Sequence, residues 1–499
     1  MTYVLGFDIG TTSTIGILIR LPATVVGLAS RPVDLVARHA GWAEEDPEQW
    51  WANVGAISRE LIATAGIAAS DIGAIGVAGM LPAVVLLDDT DKLLRLSIQQ
   101  SDGRDGAEVG ELKAEYDETA FVARAGNGIN QQLVTAKLRW IEKHEPEVFA
   151  RIATVFGSYD FINFRLTGQR SVEQNWALEA GFVEVGNRAL ADDLIALAHI
   201  RREVVPELHA SHEIIGRVTP EAARFTGLAA GTPVVAGAAD HIASAYAAGV
   251  VGPGDILLKF GGAIDILVAA DKAAPDPRLY LDFHLLPGQF MPNGCMATGG
   301  SGLNWFATNL GGGQQAEAEA RGLSIHQYLD SLAAAVPAGS DGLLFLPYFL
   351  GEKTPIHDPA LRGTLTGLSL IHGIGQIWRA LLEGYGYAIA HHVEVLGEMG
   401  HHISRFLVSD GGANSRVWMG IVADILQRPL HQLTGHPGSS LGAAWTAAMG
   451  AGLVDDWAGV NAFIGKGAVI APNPQNAAAY AAGYRQFRDL HARLKGFER

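Results

Sequence analysis

A two-lobed α/β fold is what this sequence predicts, and three observations carry the expectation. The chain has 499 residues, more than one hydrophobic core usually serves. Short apolar runs bounded by glycine and proline alternate with longer runs of helical periodicity, the pattern of an α/β protein. The unit of apolar strand, glycine turn and returning strand occurs near the N-terminus and again at residues 255–268, which points to an internal duplication. Gly249 to Gly254 marks the boundary, so the expected domains are 1–250 and 251–499.

The first strand starts at Met1 to Leu5, and the chain then reads Gly6-Phe7-Asp8-Ile9-Gly10-Thr11-Thr12-Ser13-Thr14-Ile15-Gly16 before returning through Ile19. Gly10 lets backbone approach an anion closely. Amides and hydroxyls of Thr11, Thr12 and Ser13 can donate to phosphate oxygens. Asp8 suits a magnesium ion held through water. Asp46-Pro47-Glu48-Gln49 opens a helix that buries Trp50, Val54, Ile57 and Leu61 and stops near Gly66. Ile72 to Val77 and Val84 to Leu87 are short strands, and Val134 to Ile141 is a helix. Asp102-Gly103-Arg104 could clamp a polyol, since Asp accepts and Arg donates in a fixed fork, or form a solvated ion pair.

Thr232 to Gly237 is a buried strand, and Asp240 follows it before a helix. A carboxylate there faces the crevice where α/β folds bind ligands, and it can serve as a helix cap, a general base, or both. Asp255 to Phe260, the turn Gly261-Gly262-Ala263, and Ile264 to Val268 form the second hairpin. Gln376 to Leu396 is a long helix whose Gly384 and Gly386 imply close packing or a ligand. Phe406 to Val408 leads into Ser409-Asp410-Gly411-Gly412-Ala413-Asn414-Ser415, a turn on which a nucleobase could lie. Ser439-Ser440 can cap the smooth helix Leu441 to Met449. The pairs His391-His392 and His401-His402 lack metal-ligand spacing and read as surface or helix-end residues.

Bulk properties exclude several classes. A net charge of −16 disfavours nucleic acid and anionic membranes as partners. The single cysteine, Cys295, rules out an intramolecular disulfide and a cysteine metal cluster. The N-terminus shows no signal-peptide pattern, and no long uncharged apolar run is present, so a cytoplasmic protein is expected.

These motifs, in this order, resemble the FGGY carbohydrate kinases of the sugar kinase, actin and Hsp70 superfamily, with a xylulokinase-like cast. The resemblance rests on Asp8 to Ser13, Lys137 to Ile141, Leu346 to Pro355, Arg362-Gly363 with Gly367-Leu368, Gln376, Ala380 to Glu383, Gly411 to Ala413, and Leu441 to Ala444. It implies two ribonuclease-H-like lobes, with ATP and magnesium as cofactors, the sugar on the N-terminal lobe and the nucleotide mostly on the C-terminal one. It implies Asp240 as catalytic base and Asp8 as metal-associated acid, with Asp240 also near metal and sugar. Gly10, Thr11, Thr12, Ser13, Gly261, Gly262, Gly300, Asn304, Gly411, Gly412, Ala413 and Asn414 would meet the nucleotide. Met80, Leu81, Pro82, Asp102 and Arg104 would meet the sugar or polyol, expected to be a ketopentose. Dimers are common in that family, although this chain shows no interface signature.

The chain departs from the pattern in places. Ile15 replaces a frequent Lys or Arg, and Gly261-Gly262-Ala263 replaces a common Gly-Thr-Ser. Xylulokinases usually read Gln-Met-His-Gly where this chain has Met80-Leu81-Pro82-Ala83, which predicts an apolar pocket wall and D-xylulose as a poor substrate. A degenerate sugar-binding homologue and an actin- or Hsp70-like nucleotide switch remain alternatives at this level.

Overall fold

The computed structural model describes residues 2–496; Met1, which opens the expected first strand, lies outside the described residues. Two compact units divide the chain. The first comprises Met1–Val251, Asp271–Met291 and His436–Ile464; the second comprises Gly252–Ala270, Pro292–Gly435 and Gly465–Arg499. The units are therefore not the contiguous halves 1–250 and 251–499, because two later segments return to the first unit.

In the first unit, Tyr3–Ile9 pairs antiparallel with Ser13–Arg20, which pairs antiparallel with Thr24–Pro32. On its other side Tyr3–Ile9 runs parallel to Ile72–Gly79, and that strand runs parallel to Pro233–Val235 and Ala238–Ala239. Three antiparallel strands continued by parallel ones is the ribonuclease-H-like order. The helix Pro47–Ala65 forms for the local reasons its sequence advertises. Asp46 accepts from the Glu48 amide at 2.9 Å, Pro47 occupies the first turn, and Gly66 closes the helix at φ 62°. Its buried face holds Trp50, Val54, Ile57 and Leu61.

Ser439–Gly450 lies on this sheet at very short range. A methyl group on Gly6 would sit 2.0 Å from the Ser440 carbonyl oxygen, and one on Gly76 would sit 2.2 Å from that of Ala443. On the helix itself, a methyl on Gly442 would sit 2.2 Å from the Ala243 carbonyl oxygen. Small residues on both sides are what this approach requires. Neither serine caps the helix by its side chain; Gly438 holds the cap position.

The second unit repeats the plan. Asp255–Phe260 and Ile264–Val268 form the antiparallel hairpin, Phe290–Met296 adds to its outer strand, and Arg405–Ser409 then Leu430–Gly435 continue in parallel. The duplication expected from the two hairpins is thus a duplication of topology. The helix Ile374–Glu398 is buried along most of its length. Its two glycines are explained by packing: a methyl on Gly384 would meet the Phe345 carbonyl oxygen at 2.3 Å, and one on Gly386 would meet Ile425 Cδ1 at 2.4 Å. His391, His392 and His401 are buried rather than at the surface. His392 bonds Thr354 Oγ1 and the Ala388 carbonyl, both at 2.9 Å, and burial pushes its imidazole down to about 4. No helix among the described residues is long and apolar enough to cross a membrane.

Candidate active site

Register across the first sheet brings the key acids to one edge. Ile9 pairs with Gly79, and Gly79 pairs with Ala239. With parallel strands about 4.8 Å apart, Ile9 and Ala239 lie about 10 Å from each other. Asp8, Met80 and Asp240 thus leave the sheet at the same carboxyl end, where α/β folds present ligand sites. Ser439 Oγ donates to Asp8 Oδ2 at 2.5 Å, so the hydroxyl expected to cap the helix is spent on the strand acid instead. The Gly10 amide closes the turn on the Ser13 carbonyl at 3.1 Å. Thr12 is exposed on this turn, Ser13 is half-buried, and the Thr11 hydroxyl reaches Met80 Sδ at 3.6 Å.

Asp240 is the first residue of the helix Asp240–Ala247, where the helix dipole favours a carboxylate. Its Oδ1 accepts from the His241 amide at 2.6 Å and lies 3.3 Å from His241 Nδ1. On the far side of the ring, Nε2 lies 2.9 Å from Oδ2 of the fully buried Asp282. Burial works against a charged imidazole, but Asp282 and Asp240 outweigh it and hold His241 well above its ordinary value. Close by, burial and the Asp282 charge push the Glu179 carboxyl well up from its ordinary value.

The other sugar-side residues sit differently from expectation. Asp102 and Arg104 have no exposed side-chain surface. Arg104 donates to Asp102 through Nε at 2.8 Å and a terminal nitrogen at 2.7 Å, and it pairs with Glu44 at 2.9 Å. Its guanidinium lies 3.7 Å from the centroid of Trp42 and 4.9 Å from that of Trp140. Asp102 also accepts from the Ala43 and Arg104 amides. In this structure both side chains are spent on a buried clamp. Met80, Leu81 and Pro82 are buried as well. The loop is fixed by Ser158 Oγ donating to the Met80 carbonyl at 2.7 Å and Trp176 Nε1 to that of Ala83 at 2.8 Å.

In the second unit a cavity of about 520 Å³ gathers the expected nucleotide residues. Gly261, Gly262, Gly300, Asn304, Gly411, Gly412 and Asn414 line it, together with Phe260, Leu303, Trp378 and Trp418. The Gly261 and Gly262 carbonyls accept from the Gly300 amide at 2.8 Å and the Ser301 amide at 3.1 Å, which joins the glycine turn to the start of the helix Gly300–Asn309. Gly412 is pressed between Phe260 and Trp418: an added methyl would lie 2.8 and 2.6 Å from them. Ala413 is buried outside the lining, its carbonyl accepting from Gln432 at 2.9 Å. Asp330, also on the wall, accepts from Trp378 Nε1 at 2.8 Å and Ser415 Oγ at 2.6 Å. Its helix lies far from any glycine motif, so the sequence held no signal for it.

Magnesium fits the donor set in kind. Asp8 and Asp240 are hard oxygen donors at one sheet end, and magnesium takes one or two carboxylates while keeping water. Among the described residues no three His, Cys, Asp or Glu side chains form a metal-holding group by themselves.

Duplicated ribonuclease-H-like units, one with acids at its sheet end and one with a glycine-walled cavity, define a phosphotransferase of the sugar kinase and actin type. The chain belongs to the FGGY family of carbohydrate kinases: that family's N-terminal domain matches residues 3–247 and its C-terminal domain matches residues 266–451. It is accordingly an enzyme that transfers phosphate from ATP to a sugar hydroxyl. The crystal structure of xylulose kinase from Rhodospirillum rubrum is 58% identical, covers 99% of both chains and superposes with a TM-score of 0.94. The xylulose kinase of Escherichia coli is 29% identical over 98% of this chain and 99% of its own. Gluconokinase of Bacillus subtilis is 27% identical over 93% of this chain and 90% of its own.

Proposed function

We propose that the chain phosphorylates D-xylulose or a closely related ketopentose, with Asp240 as general base. The observation that carries the substrate is the 58% identity, over 99% of both chains, with the xylulose kinase of Rhodospirillum rubrum. It outweighs the expectation drawn from Leu81 and Pro82. One missing hydroxyl-bonding side chain is worth about 1–3 kcal/mol, enough to tune preference among ketoses but not to change the substrate class.

In the first unit, the exposed part of Asp240 takes the proton of the sugar hydroxyl as that oxygen attacks the γ-phosphorus. The bond to the β,γ-bridging oxygen breaks and ADP leaves. Donors of the turn Gly10 to Ser13 would steady phosphate oxygens. Asp8, oriented by Ser439, would hold magnesium through water, with Asp240 near it. That ion supplies positive charge to the phosphates when bound. In the second unit, the cavity would receive the nucleoside between Gly411-Gly412 and the helix Gly300–Asn309. A homodimer and a cytoplasmic location accompany this reading on family likeness alone.

The test is ADP release by the purified protein with D-xylulose, D-ribulose, other ketoses, gluconate and glycerol. D-xylulose should give the highest kcat/KM. A preference for gluconate or glycerol, or no sugar-dependent ADP at all, would overturn the proposal.

A further inference from the structure

Asp240 is held asymmetrically. Its Oδ1 is engaged by the His241 amide at 2.6 Å and faced by the His241 ring at 3.3 Å. Oδ2 has no hydrogen-bond partner among the described residues, and the side chain is 37% exposed. One oxygen is anchored, and the other is left for a substrate proton. The anchor continues behind the ring. His241 Nε2 sits 2.9 Å from Asp282, which lies on the strand Tyr280–Phe283.

That strand is itself gripped on both sides of Asp282. Buried Asn127 accepts from the Leu281 amide at 2.9 Å and donates to the Leu281 carbonyl at 2.8 Å. Buried Asn175 does the same for Phe283, at 2.7 and 3.0 Å. Two side-chain amides thus mimic a neighbouring strand, and the aspartate between them has little freedom to move. Buried amides with both functions satisfied make rigid supports.

We infer that His241, seated on Asp282, is a positioning residue that fixes the Asp240 carboxylate with Oδ2 toward the sugar hydroxyl. The inference rests on the reading of Asp240 as general base. The line of support runs from Asn127 and Asn175 through Asp282 and the His241 ring to Asp240, and only Asp240 takes the proton. Without the ring, Oδ1 keeps the backbone amide alone, and the carboxylate can turn about its Cβ–Cγ bond. A loosely held base loses rate while substrate binding is largely kept.

The experiment measures kcat and KM for His241→Ala, His241→Asn, Asp282→Asn, the double variant His241→Ala/Asp282→Asn, and Asp240→Asn, with D-xylulose and ATP. Binding of a non-hydrolysable ATP analogue, read by calorimetry, reports folding. His241→Ala should lower kcat by about 10–100-fold with both KM values within about threefold, as expected of a misplaced catalytic group. His241→Asn, whose amide can reach Oδ1, should recover part of that loss. Asp282→Asn should lower kcat in the same direction, and the double variant should be no worse than His241→Ala, since both act through one contact.

Wild-type kcat in His241→Ala overturns the inference, as do fully additive losses in the double variant. If His241→Ala fails to fold, wild-type kcat in both His241→Asn and Asp282→Asn overturns it equally. Failure of the underlying reading looks different: no sugar is phosphorylated by the wild type, or Asp240→Asn stays active whatever His241 does.

Discussion

Single residues decide the chemistry, and two of them give direct tests. Asp240→Asn keeps the shape of the side chain but cannot take a proton. It should lower kcat by about 10²–10⁴-fold while nucleotide binding in the second unit is unchanged. Turnover near the wild-type rate would remove Asp240 from the mechanism. Gly262 offers the opposite kind of test. It lines the cavity, and a Cβ built on it meets nothing within 4 Å. Gly262→Thr has room for its Cβ, and its hydroxyl adds a donor where phosphate is expected. KM for ATP should fall by a few-fold to about tenfold, since one added hydrogen bond contributes a net of about 0.5–1.5 kcal/mol. A raised KM would show that this turn does not face the phosphates. At this scale the sequence singles out acids at a strand's carboxyl end: Asp8 is the penultimate residue of Tyr3–Ile9, and Asp240 follows Ala238–Ala239 directly. It was silent on Asp282, which lies on a strand with no motif around it. It left Asp102 and Arg104 open, because an acid and a base two positions apart look the same in a pocket and in a clamp packed between Trp42 and Trp140.

Elements place those residues, and the helix Ser439–Gly450 shows how. Its Ala and Gly surface lets it sit against the strands at backbone contact, which brings Ser439 to Asp8. Gly442→Val would drive a branched side chain into the Ala243 carbonyl. Overpacking of this kind costs about 1–3 kcal/mol or more, so Tm should drop by several degrees. The kcat should fall with it, because the helix carries the partner of Asp8. An unchanged Tm would mean that the helix can slide away without loss. Helix and strand positions were readable from caps and periodicity: Asp46 and Gly66 bracket the first long helix almost to the residue. What could not be read was how deeply a helix is buried. The run from Ile374 to Glu398 looks amphipathic, yet His391 and His392 are inside, and only three-dimensional packing reveals it.

The molecule as a whole carries a pH signature from that buried helix. Unfolded histidine titrates near 6.5, whereas folded His392 is held down to about 4. Between those values the unfolded chain binds a proton that the folded one does not. Stability contributed here therefore falls as pH drops from about 6.5 to about 4, by about 3 kcal/mol at most, and levels off below. His392→Asn removes that slope. In urea titrations from about pH 7 to pH 5, the wild type's stability relative to the variant should decline; parallel curves would clear His392 of the effect. The organisation of the chain has a different consequence, for descent rather than stability. The repeated hairpins look like two ancestral genes joined end to end. Yet Asp271–Met291 and His436–Ile464 cross back into the first unit, with Asp282 and Ser439 on them. A gene cut at residue 251 would encode a fragment lacking the helix that covers its own sheet. A chain split at that junction would have to recover both segments from the other fragment before its sheet is covered and Asp8 and His241 regain their partners.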